Sequence, residues 1–460
     1  MNRARPALRP LSAPGTWYRR LALALAAGLA ITLTGVAGCR APSAASAASA
    51  SVSPVPPLAA ELGLDADEVA AIVSHGPWPP PWRPDPSNRV SGDPAAIELG
   101  RRLFDDPRPS ADGRRRCSDC HRAELAFADG RARPPGADGL PLDRNAQGLL
   151  DARLHHWFGW DGGADSLWSF VLRPLADPRE IGTDDARLAT LFAADPTLAC
   201  LRRTAFGEPV PGGTALRVQV AKALAAFIET LDSPRTPFDA LRDALASADP
   251  DAAARTAARA YPAEALRGLR RFVGDARCAL CHVGPAFTHG EFHDAGRPFM
   301  AAPGRPDPGR HGGIAALRAD PFNRLGPWSD APPAQAAPSD AAVRTRHVEP
   351  SHRNFGEFRV PGLRALAHTA PYGHDGSMKT LDDVITHYSE IDIERLHADG
   401  EAVLRPLRLD AGARAELHAF LSTLSVPLPA LPRGASAASA VPGAAPSGPS
   451  VTACLVRPGP

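Results

Sequence analysis

The sequence predicts a mostly α-helical protein of two packed domains with long irregular loops. Three observations carry this. Apolar residues recur three and four apart in several stretches, and no run alternates apolar and polar residues as strands do. The pattern C-x-x-C-H occurs twice, with 158 positions between Cys120 and Cys278. At roughly 100–200 residues per domain, 460 residues suggest two or three domains. With 44% hydrophobic and 22% charged residues, the chain has an ordinary globular balance. It is long enough to bury a core without disulfides. Collagen, wholesale disorder and a polytopic membrane protein are excluded, because only one long apolar run exists. Fifty prolines and 40 glycines predict long loops and disordered ends.

The elements follow in order. Arg19 and Arg20 precede an apolar run from Leu21 to Val36, shorter than the roughly 20 residues that span a bilayer. A basic start and a short apolar run read as a secretory signal over 1–38. The run ends in Val36-Ala37-Gly38-Cys39, which resembles a bacterial lipobox with Cys39 as the lipidated residue. A plain signal peptide or a single anchor is the competing reading. Arg40 is not the aspartate associated with inner-membrane retention, so the expectation is a periplasmic protein, lipid-anchored to the outer membrane and touching the membrane through that lipid alone. Residues 1–38 hold five arginines and no acid, which leaves the rest at a net charge of −4. A mildly acidic protein lacks the basic face that nucleic acid requires.

Residues 39–90 read as an Ala/Ser/Pro-rich tether followed by a proline-rich arm with Trp78 and Trp82. Helical patterning begins near Pro94, where Ile97, Gly100 and Phe104 share a face. Further helices are predicted over Val218–Leu231, Glu264–Val273 and Arg414–Leu424. The N-terminal domain is placed at 91–250 and the C-terminal domain at 251–430, with an inserted loop at about 300–347 rich in Ala, Pro and Gly. Residues 431–460 read as a disordered tail.

The two motifs are Cys117-Ser118-Asp119-Cys120-His121 and Cys278-Ala279-Leu280-Cys281-His282. Two thiols at this spacing add across the two vinyl groups of one haem, and the adjoining histidine becomes the proximal iron ligand. Zinc is the competing reading, but zinc ribbons set their C-x-x-C pairs only about 15–20 residues apart. Two covalent c-type haems are therefore expected. Cys200 and Cys454 remain, and they are expected to be unpaired because Cys454 falls in the tail.

An open sixth position binds peroxide, whereas a filled one favours electron transfer. Only Met1, Met300 and Met378 are methionines. Thr380 and Asp383 resemble a capping box opening a short helix on which Leu381, Val384, Ile385 and Tyr388 share a face. Tyr388 is either a ligand aimed at the second haem or a core aromatic. Met378 and His387 are the fallback ligands.

From about Asp93 to Leu424, excluding the insertion, the chain resembles the bacterial di-haem cytochrome c peroxidases, and the MauG-like branch in particular. The resemblance rests on the two C-x-x-C-H motifs, Phe127-Ala128-Asp129-Gly130-Arg131, Arg144-Asn145, Trp160-Asp161-Gly162 and Pro371-Tyr372-Gly373-His374-Asp375-Gly376. It implies two cytochrome c-like haem domains packed together, with peroxide reacting at the haem on His121. Ordinary members carry a distal histidine sixteen residues after that ligand, where this chain has Ala137. Their methionine ligand lies fourteen residues after the histidine of the H-D-G motif, where this chain has Tyr388, as in MauG. The resemblance also implies Trp160 as the electron relay between haems, Glu180 as the distal acid/base, and Asn145, Thr369 and Pro371 around a calcium ion. The distal glutamine of the family is Phe170 here, which removes a hydrogen-bond donor.

Two enzymatic readings follow. One is a peroxidase reducing hydrogen peroxide with electrons from a small periplasmic cytochrome c or cupredoxin. The other is a MauG-like oxidase of aromatic side chains on a partner protein. A non-enzymatic di-haem electron carrier is the third reading, and an open first haem argues against it.

Overall fold

Two pairs of crossing helices organise the chain. The computed structural model describes residues 56–297, 300–331, 340–392, 394, 403–428 and 449–455. The signal and lipobox expectations, Cys39, the tether up to residue 55 and most of the tail lie outside the described residues.

The first pair is Pro94–Phe104 against Gly213–Ile228. Asp93 caps the first helix by accepting from the Ala96 amide, and Pro94 sits where a missing N–H costs nothing. Gly100 lies at the crossing, where a Cβ would run into the Ala223 carbonyl and the Phe227 side chain. Leu99, Leu103 and Phe104 bury against Leu216, Val220 and Leu224, and the helix Leu167–Ala176 adds Trp168 to this core. The second pair is Ala263–Val273 against Ala411–Ser422. Gly268 takes the place of Gly100 here, with the Glu416 carbonyl and Phe420 across from it. Phe272, Phe287 and Phe420 fill the second core. Among the described residues β structure is confined to two short antiparallel pairs, Phe292–His293 with Phe358–Arg359 and Met300–Ala302 with Arg305–Pro306. The mostly helical class agrees with expectation.

Four local expectations are corrected. Helices begin before Pro94, at Pro57–Glu61 and Ala66–Val73, the latter opened by a capping box between Asp65 and Glu68. They bury Leu58, Leu64, Val69 and Ile72 in the second core. The helix Pro237–Ala246 also belongs there through Phe238, Leu241 and Leu245, so the cores divide before it and not at 250. The insertion is built rather than looped. It contains the helix Gly309–Ala319 and is bound to the first half by Lys222–Asp330 (2.6 Å) and Arg324–Asp85 (2.6 Å) ion pairs. Its glycines misled the reading, since Gly313 is there to let the helix touch the Asp161 carbonyl. Finally, residues Pro449–Leu455 form a helix docked on the first core through Val451 and Cys454, and Cys454 forms a disulfide with Cys200. A helix of seven residues, about two turns, carries too few apolar positions to stand out in a low-complexity stretch.

The chain ends are thus exchanged. The segment preceding the first half completes the second core, and the segment following the second half completes the first.

Candidate active site

Each C-x-x-C-H motif folds in the same manner around its histidine. Cys117–Cys120 makes one helical turn and Cys278–Leu280 a 3-10 turn. His121 Nδ1 donates to the Phe127 carbonyl at 2.8 Å, and His282 Nδ1 donates to the Phe287 carbonyl at 3.0 Å. A carbonyl only accepts, so each Nδ1 carries the proton and each Nε2 presents a lone pair. Phe127 and Phe287 both lie in the left-handed region, at φ 61° and 54°. That conformation costs a bulky residue about 1–3 kcal/mol and aims the carbonyl at the imidazole. Burial holds both histidines below their usual pKa, the neutral state that a metal ligand needs.

Cys278, Cys281 and His282 open onto a cavity of about 450 Å³. Its walls also carry Tyr388, Met378, His387, Trp160, Arg359 and His374. The volume suits a large planar cofactor. Three buried polar atoms without a partner, Arg297 Nε, Arg359 Nη1 and His374 Nε2, lie on residues lining the same cavity, so the donor set fits a mainly apolar ligand with anionic substituents. The donors for a haem are therefore in place: two thiols, an imidazole lone pair and an apolar chamber.

All three expected sixth-ligand candidates reach this cavity. Tyr388 sits on the helix Leu381–Ser389, opened by the capping box of Thr380 and Asp383. The Cys278 and Cys281 thiols are its electrostatic neighbours, and burial pushes its phenol up to about 12. His387 Nε2 donates to the Ala295 carbonyl at 2.7 Å and is committed there.

Around the first motif, Glu180 is half-buried and close enough to Cys117 and Cys120 to raise both thiol pKa values. Burial and the neighbouring Asp177 push its own carboxyl up to about 7, against a partial offset from Arg173 and Arg179. The Ala137 amide donates to the Arg179 carbonyl at 2.7 Å, which sets the Pro135–Pro141 turn beside Glu180. Phe170 is half-buried with the Arg173 guanidinium over its ring.

Trp160 lines both this cavity and a smaller one of about 140 Å³. Its indole N–H donates to the Asn145 carbonyl at 2.9 Å, and its own carbonyl accepts from the Arg359 amide at 2.8 Å. Arg144 pairs with Asp161 and Asp307, both at 2.7 Å, and so ties the insertion to the Trp160 segment. Asn145, Thr369 and Pro371 all line the smaller cavity, with Asp151 as its acid. These oxygen donors fit a hard cation.

Sequence reasoning missed three supporting residues. His75, at the end of the helix Ala66–Val73, faces the His282 carbonyl with Nε2 at 3.0 Å and packs on Phe287 with ring centroids 4.7 Å apart. Arg310 of the insertion lies between Trp157 and Phe292 and donates to the Gly162 carbonyl at 2.8 Å. Arg359 is the third. The Asp65–Glu68 capping box was a legible signal for the first, and nothing local marked the other two.

Residues 94–245 match the profile of a family described as di-haem cytochrome c peroxidase. The methylamine utilization protein MauG of Methylorubrum extorquens is 33% identical over 344 residues, covering 74% of this chain and 82% of its own. The cytochrome-c peroxidase IdrP2 of a Pseudomonas species is 29% identical, covering 73% and 82%. A solved MauG-like protein associated with microbial copper homeostasis aligns at a TM-score of 0.56 and 28% identity, over 78% of this chain and 99% of that one.

Proposed function

The chain belongs to the di-haem cytochrome c peroxidase family, and on that premise we propose that it reduces hydrogen peroxide beside Glu180 with electrons that enter through the Tyr388 side of the molecule. It is an oxidoreductase with two covalently bound c-type haems. When bound, the haems supply redox-active iron that takes up peroxide and stores oxidising equivalents.

The residues then divide the work. Cys117 and Cys120 hold one haem and Cys278 and Cys281 the other, with His121 and His282 as proximal ligands. The Phe127 and Phe287 carbonyls orient these imidazoles and raise their basicity. Glu180 accepts the proton of the attacking peroxide oxygen and returns it to the departing oxygen, which leaves as water. With two electrons and two protons, each peroxide yields two waters. Trp160 lines both cavities and would relay electrons, and Tyr388, in the wall of the larger cavity, would be the further protein ligand to the haem held there. Asn145, Thr369 and Pro371 hold calcium through oxygen atoms.

The observation that carries this reading is Glu180, a half-buried carboxyl at the first C-x-x-C-H motif whose pKa of about 7 suits proton transfer in both directions. With Ala137 where ordinary members carry a distal histidine, this position would supply no ligand to a haem held by the first motif. That position and Tyr388 also favour a second reading, a MauG-like oxidase of aromatic side chains on a partner protein. In either case the donor or protein partner meets an exported protein. The signal-like start, the haem motifs and the Cys200–Cys454 disulfide support the periplasm, with Cys39 as lipid anchor. No helix among the described residues is long and apolar enough to cross a membrane.

The test is optical and EPR spectroscopy of the fully ferric holoprotein before and after one equivalent of hydrogen peroxide. Rapid loss of a high-spin signal without prior reduction is expected. No reaction until one haem is reduced would overturn the open site. Turnover with a reduced small cytochrome c then separates the two readings from each other, together with the mass of candidate partner proteins.

A further inference from the structure

Two arginines of this protein show how a guanidinium inside the fold is matched by carboxylates. Arg364, 6% exposed, holds Asp239 at 2.7 and 3.0 Å, and Arg144 holds Asp161 and Asp307. Arg359 differs from both, and from Arg310, which is 3% exposed but donates to the Asp161 and Gly162 carbonyls. Arg359 is 4% exposed, and among the described residues no carboxylate pairs with it. Its Nε donates to the Gly159 carbonyl at 3.3 Å, while Nη1 is buried without a partner. Burial alone lowers its pKa to about 10, with no anion to offset the effect. An uncompensated buried guanidinium is among the costliest features a fold can carry.

His374 presents the same problem on a neighbouring residue. It is 5% exposed, stacks face to face on Phe358 at 3.5 Å, and its Nε2 is buried without a partner. Phe358 and Arg359 are consecutive in one short strand, and both Arg359 and His374 line the cavity onto which Cys278, Cys281 and His282 open. Arg297 lines it too, and its Nε is also buried without a partner, but its charge is matched by Asp375 at 3.5 Å.

We propose that Arg359 and His374 form a carboxylate-binding corner of the second haem pocket, where Arg359 Nη1 and His374 Nε2 donate to the haem propionates. The proposal rests on the second motif binding haem. The ligand is an anion that the protein itself does not supply, and the only large cofactor expected in this cavity brings two carboxylates. The consequence reaches beyond retention. The Arg359 backbone amide holds the Trp160 carbonyl, and its Nε holds Gly159. One residue therefore registers the carboxylate edge of the second haem against the residue read as the relay. Arg359 is a positioning residue that also sets the haem's charge environment. A cation beside the propionates disfavours the ferric state, so its removal lowers the midpoint potential.

The experiment compares wild-type holoprotein with Arg359→Gln, Arg359→Lys and His374→Phe. Mass spectrometry first establishes that both haems are attached, and spectroelectrochemistry then reads each midpoint potential. Arg359→Gln is expected to lower the potential of the second haem and leave the first unchanged, while Arg359→Lys restores most of the shift. His374→Phe keeps the stack on Phe358, removes the donor and moves the second haem in the same direction by less. It serves as the independent variant if Arg359→Gln does not fold. In resonance Raman spectra the propionate-bending band of the second haem is expected to move in the first and third variants. An unchanged second-haem potential in these two, with both haems attached, would overturn the proposal. So would a wild-type potential that varies with acetate concentration at fixed ionic strength, since a solution anion would then occupy the corner. Peroxide turnover is measured separately, so its failure bears on the proposed activity and not on the corner.

Discussion

In the first half, Gly100 lets the Pro94–Phe104 helix touch the Gly213–Ile228 helix at Ala223, with Phe227 one turn on. In the second, Gly268 lets Ala263–Val273 touch Ala411–Ser422 at Glu416, with Phe420 one turn on. Below each crossing, a phenylalanine forced into the left-handed region turns its carbonyl onto the motif histidine. The two halves repeat one scaffold down to this strained residue and diverge in the other side chains gathered around each motif. The first half places a carboxyl of perturbed pKa there and no histidine at position 137. The second places Tyr388, Met378 and His387 around a cavity with an unmatched guanidinium. The lesson is that the repeated unit builds a proximal ligand, whereas division of labour is written in residues outside the repeat.

The largest test of that division is Glu180→Gln. It removes the proton carrier from the first half and is expected to slow the reaction with peroxide by about 10²–10⁴-fold with both haems still attached. In the parent protein the rate should rise through about pH 7 as the carboxylate forms. The stability effect has the opposite sense. A carboxyl raised above its unfolded value keeps its proton longer when folded, so its contribution to stability falls as pH rises from about 4.5 to about 7. Glu180→Gln should therefore melt higher than the parent at pH 8 while it is nearly inactive. A variant that reacts at the parental rate would remove Glu180 from the chemistry.

The exchanged chain ends give the next test. Cys454→Ser opens a disulfide of sequence separation 254 and should destabilise the protein by about 2–4 kcal/mol, read by thermal or urea denaturation. The loss belongs to the first core, so the optical signature of the first haem should be lost earlier than that of the second. Equal loss from both would mean that the tail helix supports the whole molecule rather than one half.

Legibility follows the same division. Both C-x-x-C-H motifs, the four main amphipathic helices and the capping box at Thr380 were readable, because each is a local pattern with a local cause. The first helix begins at Pro94 as expected, and Ala263–Val273 lies within a residue of its expected bounds. Cys454 was misplaced because a seven-residue helix with Val451 and Cys454 on its buried side cannot be told from coil by periodicity. The insertion was misread because Gly309, Gly312 and Gly313 look like a loop, while Gly313 in fact buys close contact with Asp161. Arg359 could not be found at all, since its importance lies in the absence of a partner, and that is a property of three dimensions. The roles of Tyr388, Trp160 and Glu180 came from the family pattern, and the structure adds where they stand.

Adding one methyl group to either crossing tests whether the scaffold is equivalent in the two halves. Gly100→Ala and Gly268→Ala both press a Cβ on a backbone carbonyl and should each cost about 1–3 kcal/mol, measured by urea denaturation. A marked inequality would mean that one helix pair can slide apart and the other cannot, and the repeat would then be one of shape more than of mechanics.

The smallest effect sharpens the comparison most, because it concerns a residue that only one half possesses. His75 is buried under the second motif, with Nδ1 2.9 Å from the Ala71 carbonyl and Nε2 3.0 Å from the His282 carbonyl. Phe287, which it packs against, is the residue whose carbonyl holds His282 Nδ1. The N-terminal arm thus braces the proximal side of the second haem site from below. A neutral His75 ring carries one N–H for the Ala71 and His282 carbonyls that flank it, and His75→Ala removes that bond at a cost of about 1 kcal/mol. It also frees the Phe287 ring. Strain at Phe287 is then less firmly held, and the imidazole it orients gains freedom. The expected result is a broadened EPR signal and a shifted midpoint potential for the second haem with the first unchanged. His75→Gln, which can donate to the His282 carbonyl, should recover part of both. If His75→Ala leaves the second haem's spectrum and potential as they were, the arm is a stabilising strap alone, and the asymmetry of the two halves resides wholly in the residues opposite the proximal histidines.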